Sequence, residues 1–261
     1  MTFYDRILAL TGIIPPFVLL WFAERFERRI KEPTQGWRYR VLAASGLASV
    51  PIAWTERLLS PSGASLAPPW AGLFDAYVVS ASVEELGKVI CLLLLTRGVL
   101  APRTRYAAFL YAIHAAMGFA LVENVLAMLK SPDLAALSSR FFLRAYMTVP
   151  MHLVAGGLFG YQWASRTFAG RERGVSIGLA CAIGLHGTYN ALLVAIDALP
   201  SEKDTLRLSL AGVAMCIPVL GAVMLRLIAG RLRALDDADE AAQGGRPRSV
   251  PPIPSAHAPA P

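Results

Sequence analysis

The chain has 261 residues, of which 55% are hydrophobic and 16% charged, and its mean hydropathy is +0.49. A soluble domain of this length carries roughly a quarter charged residues, so the composition excludes an ordinary soluble protein. The net charge of +7 would favour a nucleic acid partner in a soluble chain. Here the basic residues follow the ends of apolar segments, where they act as membrane topology signals.

Seven apolar segments approach or exceed the roughly 20 residues that a helix needs to cross a bilayer. The second is the weakest, because Pro51 interrupts it and Glu56 and Arg57 stand at its end. The pattern predicts an all-α protein, a polytopic transmembrane bundle of about seven helices. The segments are 7–23, 41–59, 71–96, 106–129, 142–164, 174–197 and 207–230.

The charges also predict orientation and domain limits. Basic residues are concentrated after the first, third, fifth and seventh segments, as in the run RRIK at 28–31. Positive charge favours the cytoplasmic side, so we expect an outside N-terminus and a cytoplasmic C-terminus. Residues 1–234 are predicted to form one transmembrane domain. Acidic and then Pro- and Ala-rich sequence predicts a disordered cytoplasmic tail over 235–261.

Four of the predicted helices carry polar residues inside the bilayer. A charge at mid-bilayer costs about 2.5–3.5 kcal/mol on insertion scales, so such residues are candidates for function. With a rise of about 1.5 Å per residue, most of them fall in one layer. His114 lies about 180° around its helix from Glu123, and we exclude it from the site. The full set is Glu84, Glu85, Lys88, His114, Glu123, Asn124, Arg144, His152, His186 and Asn190.

Three of these residues also have a structural interpretation. Lys88 stands four residues after Glu84 and would neutralise it on the same helix face. Arg144 lies near the outer boundary, where its side chain can reach the headgroups. Asn124 is suited to an interhelical hydrogen bond. We therefore expect these three residues to support a site formed by the carboxylates and histidines.

Four motifs resemble those of the PrsW family of intramembrane proteases: EELGK at 84–88, FALVEN at 119–124, the stretch 144–152 and HGTYN at 186–190. That family is grouped with the CAAX prenyl endopeptidases and the bacteriocin-immunity proteases. The resemblance covers about residues 75–197. Glu123 stands where CAAX-type proteases have a histidine, which favours the PrsW branch.

The resemblance implies hydrolysis of a peptide bond in or near the membrane segment of a membrane protein. In PrsW-like proteins that substrate is an anti-sigma factor of a stress-signalling cascade. The resemblance also implies a multi-pass location in the bacterial inner (plasma) membrane. By motif, it implies a catalytic set of Glu84, Glu85, Glu123, His152, His186 and Asn190, supported by Lys88, Asn124 and Arg144.

Two mechanisms fit this set, since peptide hydrolysis needs an activated water and a group that stabilises the oxyanion. In the first, Glu84 or Glu85 activates water directly. His186 and Asn190 then stabilise the oxyanion. In the second, His152, His186 and Glu85 bind one Zn²⁺, and the other glutamate is the base. The sequence contains no HExxH motif that would decide between them.

Other chemistry is less well supported by the sequence. Ser80 and Ser82 lie nearer the membrane surface and belong to no motif, so a serine nucleophile does not fit. A proton- or ion-coupled transporter would also bury ionisable residues, but an inverted repeat is not evident. A non-catalytic protein that binds single-pass partners is a third possibility. The expected partners are a membrane-protein substrate and the lipid bilayer, with no nucleic acid and no cofactor besides zinc; the sequence leaves the oligomeric state open.

Overall fold

The computed structural model of the chain describes residues 3–25, 35–63, 65–97 and 101–242, and every regular element among them is helical. Two π-helical segments, Asp75–Ser82 and Arg144–Thr148, interrupt the α-helices. The α-helices are α1 (Phe3–Ala9), α2 (Ile14–Arg25), α3 (Gln35–Leu59), α4 (Trp70–Phe74), α5 (Val83–Leu95), α6 (Arg105–Leu129), α7 (Leu134–Leu143), α8 (Val149–Ala169), α9 (Gly174–Ala198) and α10 (Asp204–Ala242).

The predicted helical membrane protein is confirmed. Within the described ranges, four helical stretches are long and apolar enough to cross a membrane: Arg6–Glu24, Arg105–Leu129, Gly174–Ala198 and Asp204–Ala242. The other three predicted segments are helical as well. They correspond to α3, to α4 with α5, and to the end of α7 with α8. The sidedness of the termini stays a prediction.

The central helix of the bundle is α6, whose side chains are buried without interruption from residue 106 to residue 120. It packs against α3 on one side and α8 on the other. A Cβ on Gly118 would collide with the carbonyl oxygen of Leu42 in α3. A Cβ on Gly156 of α8 would collide with the side chain of Ala116. Glycine at these two positions therefore lets both neighbours approach α6 closely enough for polar side chains to meet across the helices.

The two π-helical segments each lead directly into a helix that carries polar residues, α5 and α8. In the first segment, the Ser82 hydroxyl donates to the carbonyl of Tyr77, five residues earlier, at 2.6 Å. Single π turns are rare and occur frequently at functional sites. Ser80 lies within the first segment and Arg144 within the second.

The end of α10 is fixed to the start of α6. The carboxylate of Asp236 accepts hydrogen bonds from the backbone N–H groups of Arg105 at 3.0 Å and Tyr106 at 2.9 Å. Asp239 accepts a further one from the Arg105 guanidinium at 2.7 Å. These bonds satisfy N–H groups at a helix N-terminus, so residues 235–242 continue the helix. Residues 235–242, which composition assigns to the tail, are thus helical, and the rest of the predicted tail, 243–261, lies outside the described residues.

Candidate active site

Four buried residues from three helices meet at one point in the bundle. Glu84 and Glu85 come from α5, His152 from α8 and His186 from α9, and each is at most 5% exposed. One potential ligand atom from each lies within 4.8 Å of the others. Residues far apart in the chain are thus gathered into a compact acidic and imidazole cluster.

Lys88 supplies the positive charge at the centre of this cluster. Its ammonium donates to Glu85 Oε1 at 2.7 Å and to Glu84 Oε2 at 3.3 Å. It lies 3.0 Å from His152 Nδ1 and 4.2 Å from the centre of the Phe119 ring. From the sequence, we expected Lys88 to pair with Glu84 only. In the structure Lys88 contacts three members of the cluster, because one turn of helix brings it back beside both glutamates and its ammonium reaches His152 of α8.

The contacts of His152 define its protonation. An ammonium can only donate, so the Nδ1 atom that faces Lys88 carries a lone pair. The proton of the neutral ring is therefore on Nε2, which donates to Glu123 Oε2 at 3.0 Å. His152 consequently presents an accepting nitrogen to the cluster, while a carboxylate holds the opposite side of its ring.

Glu123 is itself held by a chain of polar contacts that extends away from the cluster. Arg144 Nη2 lies 2.6 Å from the Glu123 carboxylate, and Arg144 Nε donates to the side-chain oxygen of Asn124. The Asn124 amide in turn donates to the carbonyl of Gly12 at 2.6 Å. The supporting roles predicted for Arg144 and Asn124 therefore have a geometric basis, and the chain reaches the N-terminal helical region.

His186 has a similar arrangement on the other side of the cluster. Its Nδ1 lies 2.8 Å from Glu85 Oε1, and because a carboxylate oxygen accepts, Nδ1 carries the proton. The other nitrogen, Nε2, is 3.9 Å from Glu84 Oε2. The His186 and His152 rings are nearly perpendicular, with centroids 5.0 Å apart. Both histidines thus have one nitrogen bonded to a carboxylate and the other turned towards the cluster.

Asn190 contacts the cluster through Ser80, which we had not predicted to be part of the site. Its amide donates to the Ser80 hydroxyl at 2.8 Å, and that hydroxyl donates to Glu84 Oε1 at 3.1 Å. Ser80 was considered only as a nucleophile, for which it has no motif. The i to i+4 spacing of Ser80 and Glu84 was the available signal.

Glu56 of α3 is a second residue that the sequence analysis missed. Among the residues that the structure describes, its Oε1 atom is buried without a hydrogen-bond partner. The sequence placed Glu56 at the end of the weakest apolar segment, where an acidic residue needs no special explanation. Its position near α5 follows from the packing of α3 against that helix, which spacing along one segment does not reveal.

The structure therefore brings all nine predicted site residues into one connected network. Glu123 joins it through His152, and Asn190 joins it through Ser80. His114, which we excluded, instead places Nε2 at 2.8 Å from Glu24 Oε1 and Nδ1 at 2.8 Å from the carbonyl of Leu110. The roles assigned to the nine residues stay predictions.

Comparison with known families identifies the family of the chain. The model of the PrsW family of intramembrane metalloproteases matches residues 18–224. The chain belongs to the PrsW family. Neither a curated protein nor a solved structure matches it. As a PrsW-family protein it is an intramembrane protease, which implies a membrane-protein substrate and a bilayer environment, and the metalloprotease character of the family implies a bound metal.

The donor set of this PrsW-family protein fits a metal ion. Two imidazole nitrogens with lone pairs and the glutamate oxygens lie together in a buried position. Metal-ligating histidines almost always donate their other ring N–H to a carboxylate or carbonyl. Both His152 and His186 do so here, to Glu123 and Glu85 respectively. The chemistry of the residues therefore agrees with the metal that the family implies.

Proposed function

We propose that the protein is a zinc-dependent endopeptidase that cuts a peptide bond in or near the membrane segment of its substrate. The observation that carries the proposal is the buried cluster of Glu84, Glu85, His152 and His186, whose potential ligand atoms lie within 4.8 Å of one another. Two histidines and one carboxylate are a ligand set of catalytic zinc sites, which keep a further position for water or substrate.

The hydrogen bonds favour His152, His186 and Glu84 as the ligands. Ligands of a tetrahedral zinc ion are roughly 3.3 Å apart, given bonds of about 2.0–2.1 Å. The 2.8 Å between His186 Nδ1 and Glu85 Oε1 is instead a hydrogen-bond distance. The lone pair of His186 is on Nε2, 3.9 Å from Glu84 Oε2. This assignment replaces Glu85, the ligand that the sequence suggested, with its neighbour.

Glu85 is then the carboxylate left to act as general base. When bound, the ion would lower the pKa of a water molecule and polarise the scissile carbonyl. Glu85 lies close enough to the other three residues to accept a proton from a water in the site. Its bond to His186 holds it in position. Water activation thus falls to a residue that is separate from the proposed ligands.

Asn190 is suited to stabilise the oxyanion. Its amide nitrogen has two N–H groups, and the bond to Ser80 uses one of them. The second can donate to a developing negative charge, which is where preorganised donors contribute most to catalysis. Ser80 fixes the direction of this amide and also contacts Glu84, so one hydroxyl aligns the oxyanion donor with a proposed ligand.

The substrate that we propose is an anti-sigma factor in the inner membrane of a bacterium. The resemblance of the four motifs to the PrsW branch supports it, and the site's burial among helices suits a substrate that enters from the bilayer. Glu123 in place of a histidine argues against prenylated substrates.

The experiment combines purified protein with a single-pass anti-sigma factor from the same organism, in detergent micelles, and identifies the fragments by mass spectrometry. We expect one cut in or beside the membrane segment. Cleavage should stop after zinc removal with a chelator and return on addition of Zn²⁺. Full cleavage by metal-free protein would instead support direct activation of water by a glutamate. An anti-sigma factor that stays intact with the zinc-loaded protein would refute this substrate class.

A further inference from the structure

The position of Lys88 has a consequence for metal binding. Its ammonium contacts Glu84, Glu85 and His152 Nδ1 at 3.3, 2.7 and 3.0 Å. Two of these residues, Glu84 and His152, are proposed ligands, and the atoms that contact Lys88 are the ones that would bind the ion. The side chain is only 4% exposed, so this is a fixed internal contact.

His152 Nδ1 has a single lone pair, so it cannot accept from the ammonium and bind a divalent cation at the same time. A protonated lysine has three N–H donors and no lone pair, so it cannot act as a ligand. A zinc ion bound about 2.0–2.1 Å from the same oxygen and nitrogen atoms would stand beside the ammonium and repel it across a buried space, where screening by water is weak. Metal binding to these residues therefore requires Lys88 to leave.

Glu56 offers the departing ammonium a new partner. Among the residues that the structure describes, its Oε1 atom is buried without a hydrogen-bond partner. Glu56 belongs to α3, which packs against α5, the helix that carries Lys88. The two helices touch at this level, since a Cβ on Gly87 would collide with Ile52, one turn before Glu56. The flexible four-carbon stem of lysine allows the ammonium to turn towards α3 without movement of the backbone.

We propose that Lys88 is an internal competitor of the metal, and that Glu56 receives its ammonium when the metal binds. The proposal rests on the metal site of the proposed function. Lys88 balances the charge of the glutamates while no ion is bound, and an ion that binds displaces the ammonium. Glu56 acts only through Lys88, as a positioning residue.

The test measures the zinc affinity of the full-length protein in detergent, by competition with a chromophoric chelator. Lys88→Met removes the competitor and should bind Zn²⁺ at least about tenfold more tightly, which corresponds to about 1.4 kcal/mol. Glu56→Gln removes the receiving carboxyl group and should bind about tenfold more weakly. The matched controls are Lys130→Met, at the end of α6, and Glu24→Gln, whose carboxylate is paired with His114; both should keep the wild-type affinity.

The double variant separates displacement from simple electrostatic attraction. If Glu56 acts through Lys88, Glu56→Gln should have no effect on zinc affinity once Lys88 is methionine. An equal loss in both backgrounds would mean that Glu56 attracts the ion directly, and the receiving role would be wrong. If Lys88→Met does not fold, Lys88→Gln replaces it in the cycle, and the thermal unfolding temperature without zinc checks each variant.

Failure of this proposal can be told apart from failure of the metal site. Wild-type protein that binds zinc, with Lys88→Met no tighter, overturns the displacement and leaves the metalloprotease proposal in place. Absence of zinc binding in the wild type and in every variant overturns both.

Discussion

Two buried histidines of similar setting differ in what they can do. His114 and His152 are each at most 1% exposed, and each has Nε2 next to a glutamate. For His114 the second nitrogen also faces an acceptor, the carbonyl of Leu110 at 2.8 Å. Each of its nitrogens thus already has an oxygen partner. His152 Nδ1 instead faces the Lys88 ammonium, so it keeps a lone pair that can bind a metal.

The surroundings of the two rings differ as well. Glu24 and Tyr39 complete the His114 cluster, with the tyrosine hydroxyl donating to the carboxylate at 3.0 Å, and these contacts tie α2 and α3 to α6. The His152 cluster instead brings more carboxylates together than its cation can neutralise. Burial of a histidine thus says little about function. The direction and character of its second partner separate a structural contact from a candidate ligand.

The largest expected effect comes from replacing the two clustered glutamates with glutamine. Glu85→Gln should still bind zinc, at most about 10–100-fold more weakly because Glu85 is the outer partner of His186. With zinc saturating, it should lose about 10²–10⁴-fold or more in cleavage rate, because an amide cannot take a proton from water. Glu84→Gln should lose both zinc and activity, because it removes a ligand. Metal analysis of the purified variants and a cleavage assay measure the two properties separately.

Glu24→Gln is the control in the other cluster and should cleave at close to the wild-type rate. If Glu85→Gln lost zinc while Glu84→Gln retained it, the two roles would be exchanged. Near wild-type cleavage by both variants would show that neither glutamate performs chemistry.

The next effect concerns zinc content. Protein purified with about one zinc should lose it in His152→Ala and in His186→Ala, since each substitution removes a proposed ligand. His114→Ala should retain zinc, although the loss of its contacts with Glu24 lowers stability. Metal analysis by mass spectrometry, together with thermal unfolding, distinguishes the two results. Loss of zinc in His114→Ala with an unchanged unfolding temperature would contradict the distinction between the two rings.

A smaller loss is expected from Glu123→Gln. The amide can still accept from His152, but the charge that orients the imidazole and raises its basicity is gone. Changes to such outer partners typically cost 10–100-fold in metal affinity or activity. The zinc affinity measured by chelator competition should therefore fall into this range. An affinity equal to the wild type would mean that Glu123 does not position His152 for a metal.

Much of this site could be predicted from the sequence. The physical reasons for this also explain which residues were missed. Charged residues are rare inside a bilayer and their depth follows from helix rise, so Glu84, His152 and His186 could be placed together before any contact was known. Glu56 was missed because its importance depends on the packing of α3 against α5. Ser80 was missed because it was considered only as a nucleophile, although its i to i+4 spacing from Glu84 indicated a contact. The spacing of residues along the chain predicts neither the contacts between helices nor local departures from the α-helix.

The smallest expected effect comes from replacing Ser80. Ser80→Ala removes a donor to Glu84 and an acceptor for Asn190, and a hydrogen bond of this kind is worth about 0.5–3 kcal/mol. We expect kcat to fall by about tenfold while KM and zinc content change little, because Ser80 orients the oxyanion donor without touching the substrate. Ser80→Thr keeps the hydroxyl and should recover most of the rate. Ser82→Ala is a matched control in the same segment, since the Ser82 hydroxyl is bonded to the carbonyl of Tyr77. An equal loss in Ser82→Ala, with no recovery in Ser80→Thr, would mean that the π-helical segment matters for folding alone.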